Sequence, residues 1–526
     1  MALDIAKRSV RGSLILFASN LAATVINAVT VFLIARLLGP TSYGVYSLAL
    51  VIPGILQLFI GFGALPAVVR YAAYYTSIGK QDEAKRFTMN VMIFLFVTGA
   101  ILTVISFLLA GSLSTLILQR PDLGPYVQLT SALVLGNTVL QTATASAIGW
   151  NWMTLSGFTS ASQALIKLAL SPLLIIMGFG ITGALVGHLA SFFLAGTIGV
   201  AILYLRRLRG FGSVRNFAAD VKEMNVYGLP VYAGSVMAGL ASSFVLVLLA
   251  HVANNTVYGY YQAAVNFTSP VTLLASAMIS ALFPAFASLD GIKGDVNQAF
   301  RHAYRFVAFL LTPLVMFMIV SAGPLIKIFY GAAYTSPNGG SVPYLQLLAF
   351  AYLPIAFGYS VHPAFFNGFG RTKLTFLLYL TASVTLFLAA PLLALTYNLG
   401  VDGLIYATFL SYFVAWTVGT FLAFRFMHAV LDIRSTGTIL LVSVVAFLAT
   451  SFLPHVGSTL ATLVMNLVVF FGIYMTLAPL LRAVSRQDVD LLELTLSEPA
   501  IVGKIASPIL RYERFLVDLV RTEGKQ

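Results

Sequence analysis

Apolar stretches of about twenty residues recur along this chain from Ser13 to Leu480, separated by short segments that gather nearly all the charge. A helical run of that length crosses the hydrocarbon core of a bilayer. In lipid only helices and closed barrels satisfy their own backbone groups, and unbroken apolar runs predict helices. The pattern places about fourteen spans, near 13–35, 43–66, 87–110, 126–148, 153–177, 181–205, 226–250, 257–284, 303–322, 344–367, 374–397, 401–425, 436–454 and 457–480. Pro53 and Pro270 fall inside the second and eighth, as kinks that neighbouring helices tolerate. The opening residues, MALDIAKRSVRG, run straight into a full-length span with no small-residue cleavage site. The first helix is therefore expected to be retained, not removed as a signal peptide.

Composition agrees with this pattern. The chain is 59% hydrophobic and only 9% charged, far from the balance of a soluble domain. It has no cysteine, which excludes disulfides, thiolate nucleophiles and Cys-based metal sites. A formal net charge of +13 invites a nucleic-acid reading, but its distribution decides otherwise. With a cytoplasmic N-terminus, all 30 Lys and Arg fall on the inner side except Arg36, Arg120 and Lys327 outside and Lys167 within a span. Cytoplasmic loops carry this excess in multi-pass proteins, and a missed span would scramble the sorting. The expected location is the cell membrane, with both termini cytoplasmic and anionic lipid headgroups as partners of the basic loops, not nucleic acid. The tail at 482–526 mixes charge with apolar clusters such as LLELTL and YERFLVDLV. It reads as an amphipathic helix on the cytoplasmic face, or alternatively as a partner-binding module.

The chain also repeats itself. YGVYSLA at Tyr43 recurs as YGYYQAA at Tyr258, and at this offset of 215 Tyr43, Gly44, Tyr46, Ala49, Gly79, Ala84 and Arg86 meet identical residues. GITGAL at Gly180 is echoed by GVDGLI at Gly400. Six spans separate the copies, so the halves point the same way, as two parallel six-helix bundles related by an axis along the membrane normal. The expected layout is a first bundle at 1–222, a second at 223–430, an appended helix pair at 431–481, and the tail.

These segments resemble a known family. ARLLGPTSYGVYSLAL (35–50) resembles the opening signature of the polysaccharide transporter branch, the oligosaccharide flippases, of the multidrug/oligosaccharidyl-lipid/polysaccharide (MOP) flippase superfamily. GFGALPAVVRYAA (61–73), LIKIFYGAAY (325–334), FFNGFGRTK (365–373) and the two Gly-x-x-Gly elements are similar in the same order. The resemblance covers most of the chain up to about residue 480 and implies an all-α, MATE/MOP-like fold. It also implies a flippase, not an enzyme and with no cofactor, that moves an oligosaccharide on a polyprenyl phosphate or diphosphate from the inner to the outer leaflet. Glycan-assembly enzymes would then be working partners.

Such a cargo carries a phosphate and a wet sugar, and burying that charge needs basic or hydrogen-bonding walls. Ser156, Ser160, Gln163, Lys167 and Ser171 step by four, three, four and four, which is one face of the fifth span. Lys167 is the only ammonium deep in a span, and an intramembrane ionisable group is first a functional candidate. The competing reading is a lysine that snorkels or packs. Arg70 follows the second span, either as a phosphate-capturing group at the cytoplasmic mouth, which the resemblance favours, or as a positive-inside anchor. Arg8 and Arg11 offer the same choice, with the anchor favoured. Asn20, Thr24 and Asn27 share one face of the first span, and Gln262, Asn266 and Ser269 one face of the eighth. Both stripes suit sugar hydroxyls, or equally the polar contacts that hold membrane helices together. His188 and His362 read as packed histidines ahead of proton carriers.

Three alternatives bear on this reading. A cation-coupled exporter of small organic molecules, in the same fold, would need membrane carboxylates, and the spans hold almost none; Asp402 sits at an outer end. A membrane glycosyltransferase would need catalytic acids, yet the longest outer loop, 323–343, has none. Gly178-Phe179-Gly180-Ile181-Thr182-Gly183 fits a dinucleotide fingerprint but joins two membrane helices and follows no strand.

Overall fold

The computed structural model describes residues 2–210, 216–289, 296–336, 340–454, 457–481, 483, 512 and 514. The cytoplasmic-tail prediction thus falls almost entirely outside the described residues. Among the described residues every regular element is helical. They are α1 (Ala2–Ala49), α2 (Val51–Gln57), α3 (Ala64–Ser77), α4 (Gln81–Leu108), α5 (Ala110–Leu118), α6 (Gly124–Thr130), α7 (Ala132–Gly149), α8 (Met153–Leu174), α9 (Gly180–Leu203) and α10 (Phe217–Val252). There follow α11 (Asn255–Leu289), α12 (Val296–Val320), α13 (Ala322–Tyr330), α14 (Ser341–Ala351), α15 (Val361–Gly368), α16 (Thr372–Pro391), α17 (Gly400–Met427), α18 (Ile433–Ser451) and α19 (Thr459–Leu480).

Ten described segments are long and apolar enough to cross a membrane. Two are composite: Ile15–Ser77 carries the first two predicted spans, and Met153–Leu208 carries the fifth and sixth. The fourth lies on α6 and α7, interrupted only at Ser131, and the seventh on α10, whose apolar part is Gly239–Val252. Large side chains lie bare along these segments, Ile176 at 70% exposure and Leu388 at 69%. Water would penalise such surfaces and hydrocarbon does not, so the protein is an all-α polytopic membrane protein.

Glycine and proline set the breaks. α1 kinks at Gly39, whose φ of 72° is open to a residue without a Cβ, and the next residue, Pro40, lacks an amide hydrogen. The two Gly-x-x-Gly elements do matching work. Gly180 and Gly400 hold φ of 52° and 55° at the starts of α9 and α17. Each follows a π-turn, Ile175–Phe179 in one copy and Leu392–Thr396 in the other. Three residues on, a Cβ at Gly183 would press on Leu174 and one at Gly403 on the backbone of Leu393 and Ala394. The first glycine turns the chain and the second lets the outgoing helix lie close against the incoming one. The α8–α9 and α16–α17 hairpins follow from that.

By contacts the chain resolves into two compact units, Met1–Gln262 and Ala263–Gln526, which divide inside α11. In the first unit α8 packs on α1 and α9, α7 on α9 and α4, and α3 on α4, α7 and α10. Small residues let these helices approach, as lipid-facing bundles require. The tightest approach joins the repeat segments. Thr41 and Thr256 share a hydroxyl hydrogen bond of 2.8 Å. A Cβ on Gly44 would overlap the carbonyl oxygen of Asn255, and one on Gly259 that of Pro40. The contacts are reciprocal: Gly44 meets Asn255 as Gly259 meets Pro40, and Thr41 pairs with its equivalent Thr256.

In the second unit α12 packs on α14 and α18, α16 on α17, and α18 on α19. α18 and α19 are held to α12 through a buried cluster that includes Phe309, Phe317, Ile439, Phe470 and Tyr474. The Tyr474 hydroxyl donates to the Phe309 carbonyl at 2.8 Å, and the Asn466 amide donates to Ser321 Oγ at 3.3 Å.

Candidate functional site

The polar face read on the fifth span lies on α8, where it meets α1 and α9. Ser156, Gln163, Lys167 and Ser171 are all buried, and Ser160 is half-buried. Gly157 has room for no more than hydrogen, since a Cβ there would press on Ser19 of α1, and this draws the two helices together. A chain of hydrogen bonds then crosses all three. Asn27 Nδ2 donates to Gln163 Oε1 at 3.4 Å. Gln163 Nε2 donates to Ser191 Oγ at 3.2 Å, and that hydroxyl donates to the His188 carbonyl at 2.6 Å. Two turns further along, Ser171 Oγ donates to the Ala184 carbonyl at 3.2 Å.

Those contacts fix the register of α8 against α9. Lys167 lies midway between Gln163 and Ser171, and His188 between Ser191 and Ala184, so the two face each other within electrostatic reach. The far side of the imidazole is held as well, with Nδ1 2.8 Å from the Tyr46 hydroxyl. Lys167 is 7% exposed, and no hydrogen bond or salt bridge reaches its ammonium among the described residues. On α7, α8 and α9 there is no carboxylate at all, and on α1 the only one is Asp4, at its beginning. An ammonium taken out of water without a counter-ion is costly, and a bound anion would offset that cost.

The other predicted residues lie elsewhere. Asn20 is exposed on α1, about two turns before Asn27, and its carbonyl accepts from Thr24 at 2.8 Å. Arg70 is exposed on α3, its guanidinium 4.2 Å from the ring centre of Tyr227 on α10 and 5.5 Å from that of Tyr71. Stacking engages the face of a guanidinium and leaves its edge donors available. Gln262 is half-buried at the end of the first unit. Asn266, in the second unit, donates to the Tyr330 hydroxyl at 3.0 Å, so that amide helps fasten α11 to α13. The Arg11 side chain lies outside the described residues. Lys167, Gln163 and Asn27 thus share one seam, whereas Arg70, in the same unit, stacks on Tyr227 of α10.

Two members of the seam were not picked out from the sequence. Tyr46 appeared only as a repeat position, and His188 as a packed histidine, yet they touch each other across 142 residues beside Lys167. His362 differs: it is fully buried, 2.8 Å from the Tyr304 hydroxyl and 3.3 Å from that of Thr420. Among the described residues no group of three or more His, Asp or Glu could hold a metal ion.

Comparison with known proteins follows the same lines. A family model described as polysaccharide biosynthesis protein matches residues 33–338. The chain is 24% identical over 326 residues to the succinoglycan biosynthesis transport protein ExoT of Rhizobium meliloti (strain 1021), across 59% of this chain and 60% of that one. It thus spans about three fifths of that relative. Among solved structures, the lipid II flippase MurJ in an inward closed conformation superposes with a TM-score of 0.72 at 14% identity, over 89% of this chain and 98% of that one. An inward-facing multidrug-resistance MATE transporter of the MOP superfamily gives 0.64 at 18% identity, over 75% and 92%. A MOP superfamily transporter from Pyrococcus furiosus, described as having a binding pocket of reversed polarity, gives 0.56 at 18% identity, over 78% and 94%. At these identities the structures speak for the fold alone. With the family model covering more than half its length, the chain belongs to the polysaccharide biosynthesis protein family.

Proposed function

We propose that the protein is a flippase that carries an oligosaccharide linked to a polyprenyl phosphate or diphosphate from the inner to the outer leaflet of the cell membrane by alternating access. It works as a transporter, with no catalytic step and no cofactor. The observation that carries this reading is Lys167, an ammonium buried in a membrane helix without a carboxylate partner among the described residues. Such a site favours an anion, and the anionic part of a lipid-linked sugar is its phosphate. The likeness to the succinoglycan transport protein supports the same class of cargo. Gln163 and Asn27 offer amide groups beside the lysine, and Asn20 continues that face of α1. Gln262 and Asn266 are assigned to the sugar.

Arg70 and Arg11 are assigned to the cytoplasmic mouth, with both termini on that side. The basic inner loops rest on anionic lipids, and glycan-assembly enzymes supply the cargo. The bundles at 1–222 and 223–430, with the pair at 431–481 appended, are the moving parts. A cation-coupled exporter needs a membrane acid to bind its ion, and the seam around Lys167 has none among the described residues.

The test is leaflet transfer of a fluorescent polyprenyl-diphosphate oligosaccharide in proteoliposomes. Wild-type protein is expected to transfer it, Lys167→Ala to fail while still folded, and Lys167→Arg to retain part of the rate. Uptake of an organic cation with no transfer of any phosphorylated carrier would overturn the proposal.

A further inference from the structure

The seam holds two ionisable nitrogen groups and no acid. Every element packed around His188 contributes to that balance. α8 brings Lys167 alone, and α1 brings Tyr46 with Tyr43 stacked on it, while its Asp4, Lys7, Arg8, Arg11 and Arg36 stand elsewhere along the helix. α6 carries only Tyr126, and α7 and the π-turn at Ile175–Phe179 carry no titratable side chain. Tyr204, Arg206 and Arg207 of the π-turn Tyr204–Leu208 stand about four turns beyond His188. Two cations facing each other in a low-dielectric site repel strongly, so the empty site holds at most one of the two protons comfortably. An anion between them reverses the balance, because each cation then has a counter-charge.

We propose that Lys167 and His188 form a joint site for one phosphate-bearing anion and one proton, so that the phosphorylated cargo is bound together with a proton. This rests on the flippase reading and adds to it the coupled ion. His188 is suited to the part by its surroundings. Its Nδ1 is engaged by Tyr46, while no hydrogen bond reaches Nε2 among the described residues, and the residue is half-buried, not sealed. In the bound state Nδ1–H donates to the Tyr46 oxygen, Nε2 has taken up a proton released by the buffer in the surrounding solution, and Nε2–H donates to a phosphate oxygen. No other bond forms or breaks. Release of the anion restores the repulsion and expels the proton on the side where the cargo leaves.

Binding must then be linked to pH with a definite sign. The bound state holds the extra proton, so affinity falls as pH rises, by up to about tenfold per unit once the free site is deprotonated. A diphosphate esterified at both ends has no proton that titrates near neutrality, so it does not confuse the reading. The experiment is calorimetric titration of the full-length protein in detergent with a short-chain prenyl-diphosphate monosaccharide, in Tris and in HEPES, from pH 6.5 to 8.5. The two buffers differ in ionisation enthalpy, and the difference in heat counts protons taken up.

Wild type is expected to take up close to one proton per ligand at the upper end of the range. His188→Asn is expected to bind more weakly, with no uptake and a flat pH profile. His302→Asn, a histidine on α12 outside the seam, is expected to keep the uptake, and a monodisperse peak of His188→Asn in detergent shows that its loss of uptake is not misfolding. Binding by wild type with no proton uptake, or with the same uptake in His188→Asn, would overturn the coupling and leave the flippase reading standing. Absence of binding by wild type at every pH would overturn the flippase reading itself.

Discussion

Asp220 stands in the first turn of α10 and is 2% exposed, yet it is fully occupied. It accepts from Arg86 Nε at 3.2 Å and Nη2 at 3.3 Å, and from Asn90 Nδ2 at 2.6 Å, which fastens the start of α10 to α4. The Arg86 side chain is only 25% exposed, so solvent screens the pair little. Breaking a buried pair from one side leaves the other charge stranded, at a cost of about 3 kcal/mol or more. Arg86→Met and Asp220→Leu should each cost about that much, while the double variant should cost little more than either single one. The coupling energy from the double-mutant cycle is expected near 3 kcal/mol. The assay is reversible unfolding in mixed SDS micelles, followed by tryptophan fluorescence, because Trp150 and Trp152 both lie in the first unit. Additive losses, with a coupling below about 0.5 kcal/mol, would refute the argument that the two groups stabilise the protein as a pair.

Three further outcomes follow from the packing. Lys167→Met should raise stability by about 1–3 kcal/mol in the same unfolding assay, because a buried charge is exchanged for an apolar side chain, while leaflet transfer is lost; a less stable variant would count against the anion site. Gly259→Val should abolish folded yield, measured as a monodisperse peak in detergent, because its side chain has only the Pro40 carbonyl to occupy; normal yield would show that this crossing can open. Partial burial alone would push the Asp432 carboxyl up. Its bonds from Ser435 N at 3.2 Å and Ser435 Oγ at 2.7 Å, with Arg301 and Arg305 nearby, outweigh that and hold it below the usual carboxylate range. A depressed carboxylate stabilises above its unfolded pKa, and that contribution disappears as pH falls through the folded value. Asp432→Ala should therefore cost about 1 kcal/mol at pH 7, and the difference should shrink as pH falls below the usual carboxylate range, as read from paired unfolding curves.

Much of this architecture could be read from the sequence because lipid imposes so plain a rule. Spans follow from apolar length, and α8 displayed its polar face through steps of three and four, which a helix converts directly into neighbours. That is why Lys167, Gln163 and Ser171 were found together. What could not be read were partners far apart in the chain. Tyr46 carries no mark that it will meet His188, and nothing in Asn266 announces Tyr330. A periodic pattern gives the direction of a side chain; its partner depends on how helices pack. The kink at Gly39 was hidden for a related reason, since a glycine in an apolar run looks the same whether it bends the helix or merely fills it.

The crossing where Gly44 meets the Asn255–Gly259 stretch explains why the repeat is visible at all. Most positions in a duplicated protein drift apart, because each copy answers only to its own neighbours. Here each copy is the other's neighbour. A larger residue at either glycine would strike the backbone of its counterpart, so both positions are held by a single steric constraint. Selection therefore acts on the pair of glycines as one unit, and the tyrosines and threonines around them inherit part of that restraint. At this crossing the two segments can therefore change size only together.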